Sequence, residues 1–115
     1  ADIKAGRVKP HKEAKKLYEN GYRLFWSDRA LADLENIIGY LAGENWTKKE
    51  IQNFARGLNK RLDLIIINPR LFPKTAKRKN VRRSVLTKHT VIYYETNKNV
   101  INVITLFDPR QNPKN

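Results

Sequence analysis

Two apolar stripes at helical spacing, one directly after the other, set the tightest limit on what this chain can fold into. Leu31, Leu34, Ile37, Ile38 and Leu41 recur every three or four residues, with Ser27 placed as an N-cap, Asp28 in the first turn and Gly43 at the end. After Asn45 and Trp46, Thr47-Lys48-Lys49-Glu50 reads as a capping box. Ile51, Phe54, Ala55, Leu58, Leu62, Ile65 and Ile66 then carry a second stripe up to the break at Asn68-Pro69. So short a link predicts an antiparallel helical hairpin. Its apolar side calls for a second layer.

The flanks supply that layer. Tyr22 to Trp26, between Gly21 and Ser27-Asp28, is a dense aromatic and apolar run of the kind that makes a buried strand. Past Phe72-Pro73 and a basic stretch to Asn80, the segments NVRRSVLT, HTVIYYET and NVINVITLF are rich in β-branched and aromatic residues. The last two are separated by the turn-like Asn97-Lys98-Asn99, and three consecutive antiparallel strands are expected. The fold class that follows is α+β: a helical hairpin packed on one face of a small antiparallel sheet, in the order β-α-α-β-β-β. The polar end DPRQNPKN is too short for a further helix.

With 115 residues and 40% hydrophobic side chains, the chain has material for one core. Residues 21–115 form the expected domain, and residues 1–20 an arm ahead of it. The arm carries six positive and three negative charges and few apolar side chains, of which Val8, Leu17 and Tyr18 are candidate anchors. Ala14, Leu17 and Tyr18 fall at helical spacing before Asn20-Gly21, and a helix that short needs something to dock on.

Several kinds of chemistry are excluded. Without cysteine there are no disulfides, thiolate nucleophiles or cysteine-held zinc and iron–sulfur sites, and His11 and His89 are the only imidazoles. No metal and no cofactor is expected. Glu35, Glu44, Glu50 and Asp63 are scattered on helix exteriors and make no carboxylate pair for acid–base hydrolysis. No apolar run approaches a membrane span, and no apolar signal core follows the basic start, so a cytoplasmic location is expected. The chain begins at Ala1 and has no methionine, which reads as a removed initiator or a trimmed or engineered sequence.

Charge is the remaining clue. A formal net charge of +13 attracts polyanions, whether nucleic acid, an acidic protein or an anionic surface. It is most polarised between Arg70 and Lys88, an interval with no acidic residue. Arg82 and Arg83 are neighbours in a predicted strand and therefore face opposite sides of the sheet, so only one of them looks out on its open face. An outward arginine suits phosphate or carboxylate. For Arg83 and Arg110 the anion-contact and solvated-charge readings stand side by side. Lys77, Arg78 and Lys79 fit a solvated loop, and Arg78, Arg82 and Lys88 are candidate contacts to a nucleic-acid or protein target. His89, with Lys88 beside it and Tyr93 and Tyr94 downstream, belongs to a residue set that can cleave RNA without metal. Phe25, Trp26 and Trp46 could stack on bases, but their positions fit core and edge packing better.

These segments in order resemble a known family. YRLFWSDRALADLENIIGYL, INPRLFP, NVRRSVLTKHTVIYYE and INVITLFDPRQNP look like a toxin of the RelE/ParE superfamily of bacterial type II toxin–antitoxin systems, from Tyr22 onward. The hairpin pattern ADLENIIGYLAGENW is more similar to ParE-like members, and that resemblance implies poisoning of DNA gyrase and neutralisation by a cognate antitoxin. RelE-like members instead cut messenger RNA on the ribosome. On that alternative the resemblance gives catalytic roles to Arg83, Arg110, His89 and Tyr93, with Arg83 and Arg110 matching the family's strand arginine and the arginine after its last strand. The chain departs from the RelE pattern after Arg110, where no C-terminal acid–base residue follows.

The arm bears a second resemblance. DIKAGRVKPHKEAKKLYE looks like the C-terminal tail of an antitoxin, which implies a toxin carrying its own neutralising peptide through Val8, Leu17 and Tyr18. Because the arm is itself basic, apolar contacts would have to supply most of its attraction.

Overall fold

The computed structural model of the chain describes residues 21–111. The arm over 1–20, with Val8, Leu17 and Tyr18, and residues 112–115 lie outside the described residues. Strand β1 (Arg23–Trp26) leads into helices α1 (Asp28–Gly43) and α2 (Lys48–Ile67). Strands β2 (Val81–Val85), β3 (Val91–Asn97) and β4 (Val100–Phe107) follow, with a 3₁₀ turn over Pro109–Gln111. This is the α+β order expected from the stripes and the β-rich runs.

Local chemistry sets the helix boundaries. The Ser27 hydroxyl accepts from the Ala30 N–H at 2.9 Å. Thr47 and Glu50 close the capping box, the Glu50 N–H donating to Thr47 Oγ1 at 3.0 Å and the Thr47 N–H to Glu50 Oε1 at 2.8 Å. Gly43 is the last residue of α1, but the left-handed cap falls two residues later at Asn45, with φ 68°. There the Trp46 N–H reaches Leu41 O at 3.1 Å and the Asn45 N–H reaches Ala42 O at 3.3 Å, satisfying carbonyls that the helix end would leave open.

Every residue of the two stripes is buried or half-buried. They pack with Leu24 and Trp26 of β1, Ile92 and Tyr94 of β3, and Ile101, Val103 and Leu106 of β4 in one core. Each fully buried Leu or Ile contributes about 1.5–3 kcal/mol, more than a single cap, so the stripes hold the helices and the caps decide where they begin.

The sheet has the order β1-β4-β3-β2. Strands β2, β3 and β4 form the expected antiparallel meander. Strand β1 departs from a wholly antiparallel sheet: it lies parallel to β4, from Arg23 beside Val100 to Trp26 beside Val103. Apolar density marks a strand but not its direction, and β1 reaches β4 through two helices and two other strands rather than through a tight turn.

One face of the sheet carries the helices, and the other is open. Arg82 and Ser84 lie on the helix side with Ile92 and Tyr94, while Val81, Arg83 and Val85 share the open side with Val91, Tyr93 and Glu95. A bulge shifts the register so that Tyr93 opposes Thr105 and Tyr94 opposes Val103, leaving Ile104 as the extra residue.

The segment between α2 and β2 positions the site. Tyr94 donates its hydroxyl to Pro69 O at 2.7 Å, and Arg82 Nη1 donates to Phe72 O at 2.6 Å. From there the chain runs along the outer edge of β2, with the Arg83 N–H on Pro73 O at 3.0 Å and the Thr75 N–H on Val81 O at 2.8 Å. Arg61 of α2 holds the other end of β2, donating to Ser84 Oγ and Val85 O, each at 2.8 Å, and lies over the Phe72 ring.

Candidate functional site

Strand alternation and this tethered segment together build a cleft of about 560 Å³ on the open face of the sheet. Its floor is Val81, Ile104 and Thr105, and its wall is the run Lys74-Thr75-Ala76-Lys77-Arg78. Arg83 and Tyr93, directly opposite each other across β2 and β3, complete it. Val81 is buried although it faces the open side, because the 74–78 wall covers it. The cleft therefore has an apolar interior and a rim of Lys74, Lys77, Arg78 and Arg83.

The arginines differ in how much of their charge is free. Arg78 Nη2 lies 3.7 Å from Glu95 Oε1, a loose pair at the surface. Arg82 faces the helix side and spends its guanidinium on Phe72 O and, at 3.4 Å, Arg70 O. It is a tether of the 68–75 segment, not a side chain of the open face. Arg83 is exposed, and no acceptor for its guanidinium is found among the described residues. Of the neighbours Arg82 and Arg83, alternation gives the open face to Arg83.

Arg110 stands apart from this cleft. Its Nε lies 3.1 Å from Asp108 Oδ1 and its Nη2 2.8 Å from Asp108 Oδ2, and its guanidinium lies over the Tyr40 ring of α1 at 5.7 Å. Asp108 is buried and also accepts from Thr90 Oγ1 at 2.7 Å. Burial by itself would raise the Asp108 carboxyl, but the hydrogen bonds from Arg110 and Thr90 outweigh it and hold the group below its ordinary value. The same hydrogen bond raises Arg110. The pair is an internal brace where β4 ends, on the helix side.

His89 and Lys88 lie in the bend between β2 and β3, ahead of the first residue of β3, Val91. The run HTVIYYET reads as a strand opening at His89; in the fold the His89 N–H instead donates to Thr87 Oγ1 at 3.0 Å in the bend. Neither residue lines the cleft. Of the four side chains the RelE resemblance would make catalytic, the fold brings Arg83 and Tyr93 together and leaves His89 and Arg110 elsewhere. Tyr94, the neighbour of Tyr93, is core: burial pushes its phenol up to about 12, against the opposing pull of Arg82.

Three further polar residues matter to the fold and escape a reading of spacing alone. Arg61 is one. Asp33, buried on α1, accepts from Arg29 Nε at 3.3 Å, from the Leu106 N–H at 3.1 Å and from the Thr105 hydroxyl. Thr90 is the third, and its partner Asp108 is 18 residues away. Each sits in a half-polar run where the sequence carries no signal of its distant partner.

No carboxylate or imidazole lines the cleft, and no three His, Asp or Glu side chains converge as a metal site among the described residues. No described helix is long and apolar enough to cross a membrane. A rim of cations over an apolar floor with one phenol can hold an anion that carries an apolar part.

Comparison with known proteins agrees with the fold. The family model described as "ParE toxin of type II toxin-antitoxin system, parDE" matches residues 24–113. Among solved structures, the chain is similar to one from the chromosomal ParDE toxin–antitoxin system of P. aeruginosa. The TM-score is 0.64 at 12% identity, over 76% of this chain and 95% of that one. It is also similar to a chain of the E. coli DinJ-YafQ complex, with a TM-score of 0.49 at 14% identity, over 76% of this chain and 93% of that one. No curated protein matches the chain.

Proposed function

We propose, from the premise that this chain belongs to the ParE toxin family of type II toxin–antitoxin systems, that it arrests bacterial growth by binding DNA gyrase in the cytoplasm and trapping its cleaved-DNA complex. The observation that carries a binding mode of action is the dispersal of the acid–base set. Arg83 and Tyr93 share the cleft, His89 lies in the β2–β3 bend, and the Arg110 guanidinium is engaged by Asp108. A metal-free nuclease needs a proton acceptor and a proton donor within reach of one phosphate. A gyrase poison needs only a surface.

A cognate antitoxin is the partner that covers this surface. The arm over residues 1–20 is read as an antitoxin-like tail whose Val8, Leu17 and Tyr18 supply apolar anchors. Deleting it should raise toxicity, and a deletion that leaves both toxicity and stability unchanged removes the idea of a neutralising arm.

The test of the target uses two reactions side by side: gyrase supercoiling, and coupled translation with primer-extension mapping of the message. Linear DNA accumulating while the message stays intact supports the gyrase reading. Codon-phased cuts in the message would instead establish the second reading, a ribosome-dependent endonuclease, which the facing pair Arg83 and Tyr93 favours.

A further inference from the structure

Three large apolar side chains are exposed together where α2 ends: Leu64 at 39%, Ile67 at 67% and Leu71 at 49%. Leu64 and Ile67 lie three residues apart on one face of the helix, and Leu71 follows in the turn that its N–H closes on Asn68 O at 3.0 Å. This end of α2 is also negative in character. A helix C-terminus carries about half a unit of negative charge, the last turn of α2 holds no basic residue, and Asp63 stands four residues before Ile67 on the same face. Lys60 and Arg70 at its margins leave the patch mixed in sign, whereas the rim of the cleft is cationic throughout.

The N-terminal segment joins the domain at the same end. Strands β1, β4 and β2 run the same way, so Arg23 and Val81 mark one end of the sheet and Trp26 and Val85 the other. Helix α2 passes Arg61 beside Val85 and comes down to Pro69, which Tyr94 holds opposite Arg82, so its last turn points toward the end at which β1 starts. Gly21, with φ 82°, lets the chain turn there, and Tyr22 packs against the core. We propose that residues 1–20 fold back in cis onto this end of α2. Their apolar anchors Val8, Leu17 and Tyr18 supply the contacts to Leu64, Ile67 and Leu71, and their cations face Asp63 and the helix terminus. The inference rests on the reading of this segment as a neutralising arm and names its seat, on the layer opposite the cleft.

Charge decides against the cleft as that seat, because the arm carries six positive and three negative charges and the cleft rim repels it. Position decides against the exposed Val85 and Phe107, which lie on the open face at the far end of the sheet from Gly21. Area decides against a second copy. Three side chains fall well short of the roughly 800 Å² that each partner of a stable dimer buries. A tethered segment is held at an effective concentration in the millimolar range, so a small patch suffices for it.

The test uses the full chain. It contains no cysteine, so Ala14→Cys gives a single attachment point for a nitroxide spin label. In the labelled, isotopically enriched protein the amide signals of Leu64, Ile67 and Leu71 should broaden relative to the reduced label, while those of Arg83 and Tyr93 stay sharp. Ile67→Lys removes apolar surface and reverses the local charge. It should abolish the broadening and lower the hydrogen-exchange protection of the arm amides about tenfold. Leu71→Lys repeats the test from the segment beyond the helix, and Phe107→Lys, the same kind of change at an exposed side chain of the open face, should alter neither readout. Broadening at Arg83 and Tyr93 in place of the patch overturns the proposal, as does broadening that survives both patch variants. Broadening of an enriched, unlabelled chain by a labelled, unenriched one also overturns it, since the occupant is then the arm of a second copy. Toxicity separates the seat from the reading it rests on. Release of the arm by Ile67→Lys with no rise in toxicity keeps the seat and removes the neutralising role. A rise on deleting residues 1–20, with no broadening at the patch, keeps the role and removes the seat.

Discussion

Arg110 closes its guanidinium on the carboxylate of Asp108, two residues earlier in the chain, with both oxygens engaged at 3.1 and 2.8 Å. The carboxylate side chain is 1% exposed and the arginine side chain 24% exposed, so the pair is buried on the acid side and open on the other. It pins the chain after β4 against α1, where Arg110 lies over Tyr40. A residue that family resemblance would assign to phosphate is therefore engaged in holding the fold.

Arg110→Ala should accordingly act on stability first. It leaves a buried carboxylate with Thr90 as its remaining side-chain donor, which costs about 2–3 kcal/mol for a charge-assisted hydrogen bond. Urea denaturation checks this, with the midpoint falling and the slope unchanged. The double variant with Asp108→Asn should cost much less than the sum of the two single changes, because the charge that needed the arginine is gone.

The same pair makes a pH prediction. The Asp108 pKa is lowered in the folded chain from its ordinary 3.8, so its contribution is complete above that value and is lost as pH falls through the folded one. The stability difference between the parent and Asp108→Asn should be level above about pH 5 and shrink below about pH 4. Thermal melts of both proteins across that range measure it, and a gap that widens toward acid contradicts the assignment.

Tyr94 provides the alkaline counterpart. Its hydroxyl bonds Pro69 O, and burial holds its pKa near 12 against an ordinary 10.0. The folded state keeps its proton longer than the unfolded chain does, so this contribution is intact below pH 10 and declines as pH rises toward 12. Absorbance titration should show one tyrosine ionising late, and Tyr94→Phe should abolish that late step. The variant should also lose about 1–2 kcal/mol, since Pro69 O then has no donor from the core.

Much of this architecture is legible in the sequence, because what specifies it is local. Ser27, Thr47 and Glu50 announce their caps, the stripes announce their buried faces, and alternation alone separates Arg82 from Arg83. What escapes depends on partners far along the chain. The course of residues 68–78 follows from Tyr94, Arg82 and Arg61, and nothing in LFPKTAKRK shows that it will fold over the open face and turn a flat sheet into a cleft. The direction of β1 escapes because apolar density is the same read either way. Arg110 misleads because the acid that engages it is separated from it by Pro109, and a 3₁₀ turn brings the two together without any apolar periodicity. Nothing in the residues around His89 distinguishes a strand start from the bend it occupies.

A stabilising change is available at the β3–β4 hairpin. Lys98 has φ 56°, a left-handed conformation that costs an ordinary side chain about 1–2 kcal/mol, and it sits in a two-residue loop between the paired Asn97 and Val100. Lys98→Gly removes that strain at the expense of some added freedom in the unfolded chain, for a net gain of about 0.5–1 kcal/mol. The melting temperature should rise by roughly 2–6 °C. Lys98→Val should move it the other way, because a β-branched side chain tolerates this conformation least.

Ser27 tests whether a cap is only a cap. Its hydroxyl accepts from the Ala30 N–H at 2.9 Å and donates to Ile104 O at 2.8 Å, so one oxygen starts α1 and ties it to the bulged residue of β4. Ser27→Ala should cost about 2 kcal/mol, the sum of a lost cap of about 1 and a lost hydrogen bond of about 1. Ser27→Asp separates the two roles. By capping preference alone it is as good as serine, yet an ionised carboxylate has no proton to give and would face the Ile104 carbonyl as a second acceptor. The aspartate variant should therefore fail to recover the stability of serine, and Ser27→Thr, which keeps both donor and acceptor, should recover most of it. Full recovery by Ser27→Asp in thermal melts would reduce Ser27 to its cap and leave Ile104 O without an energetic role.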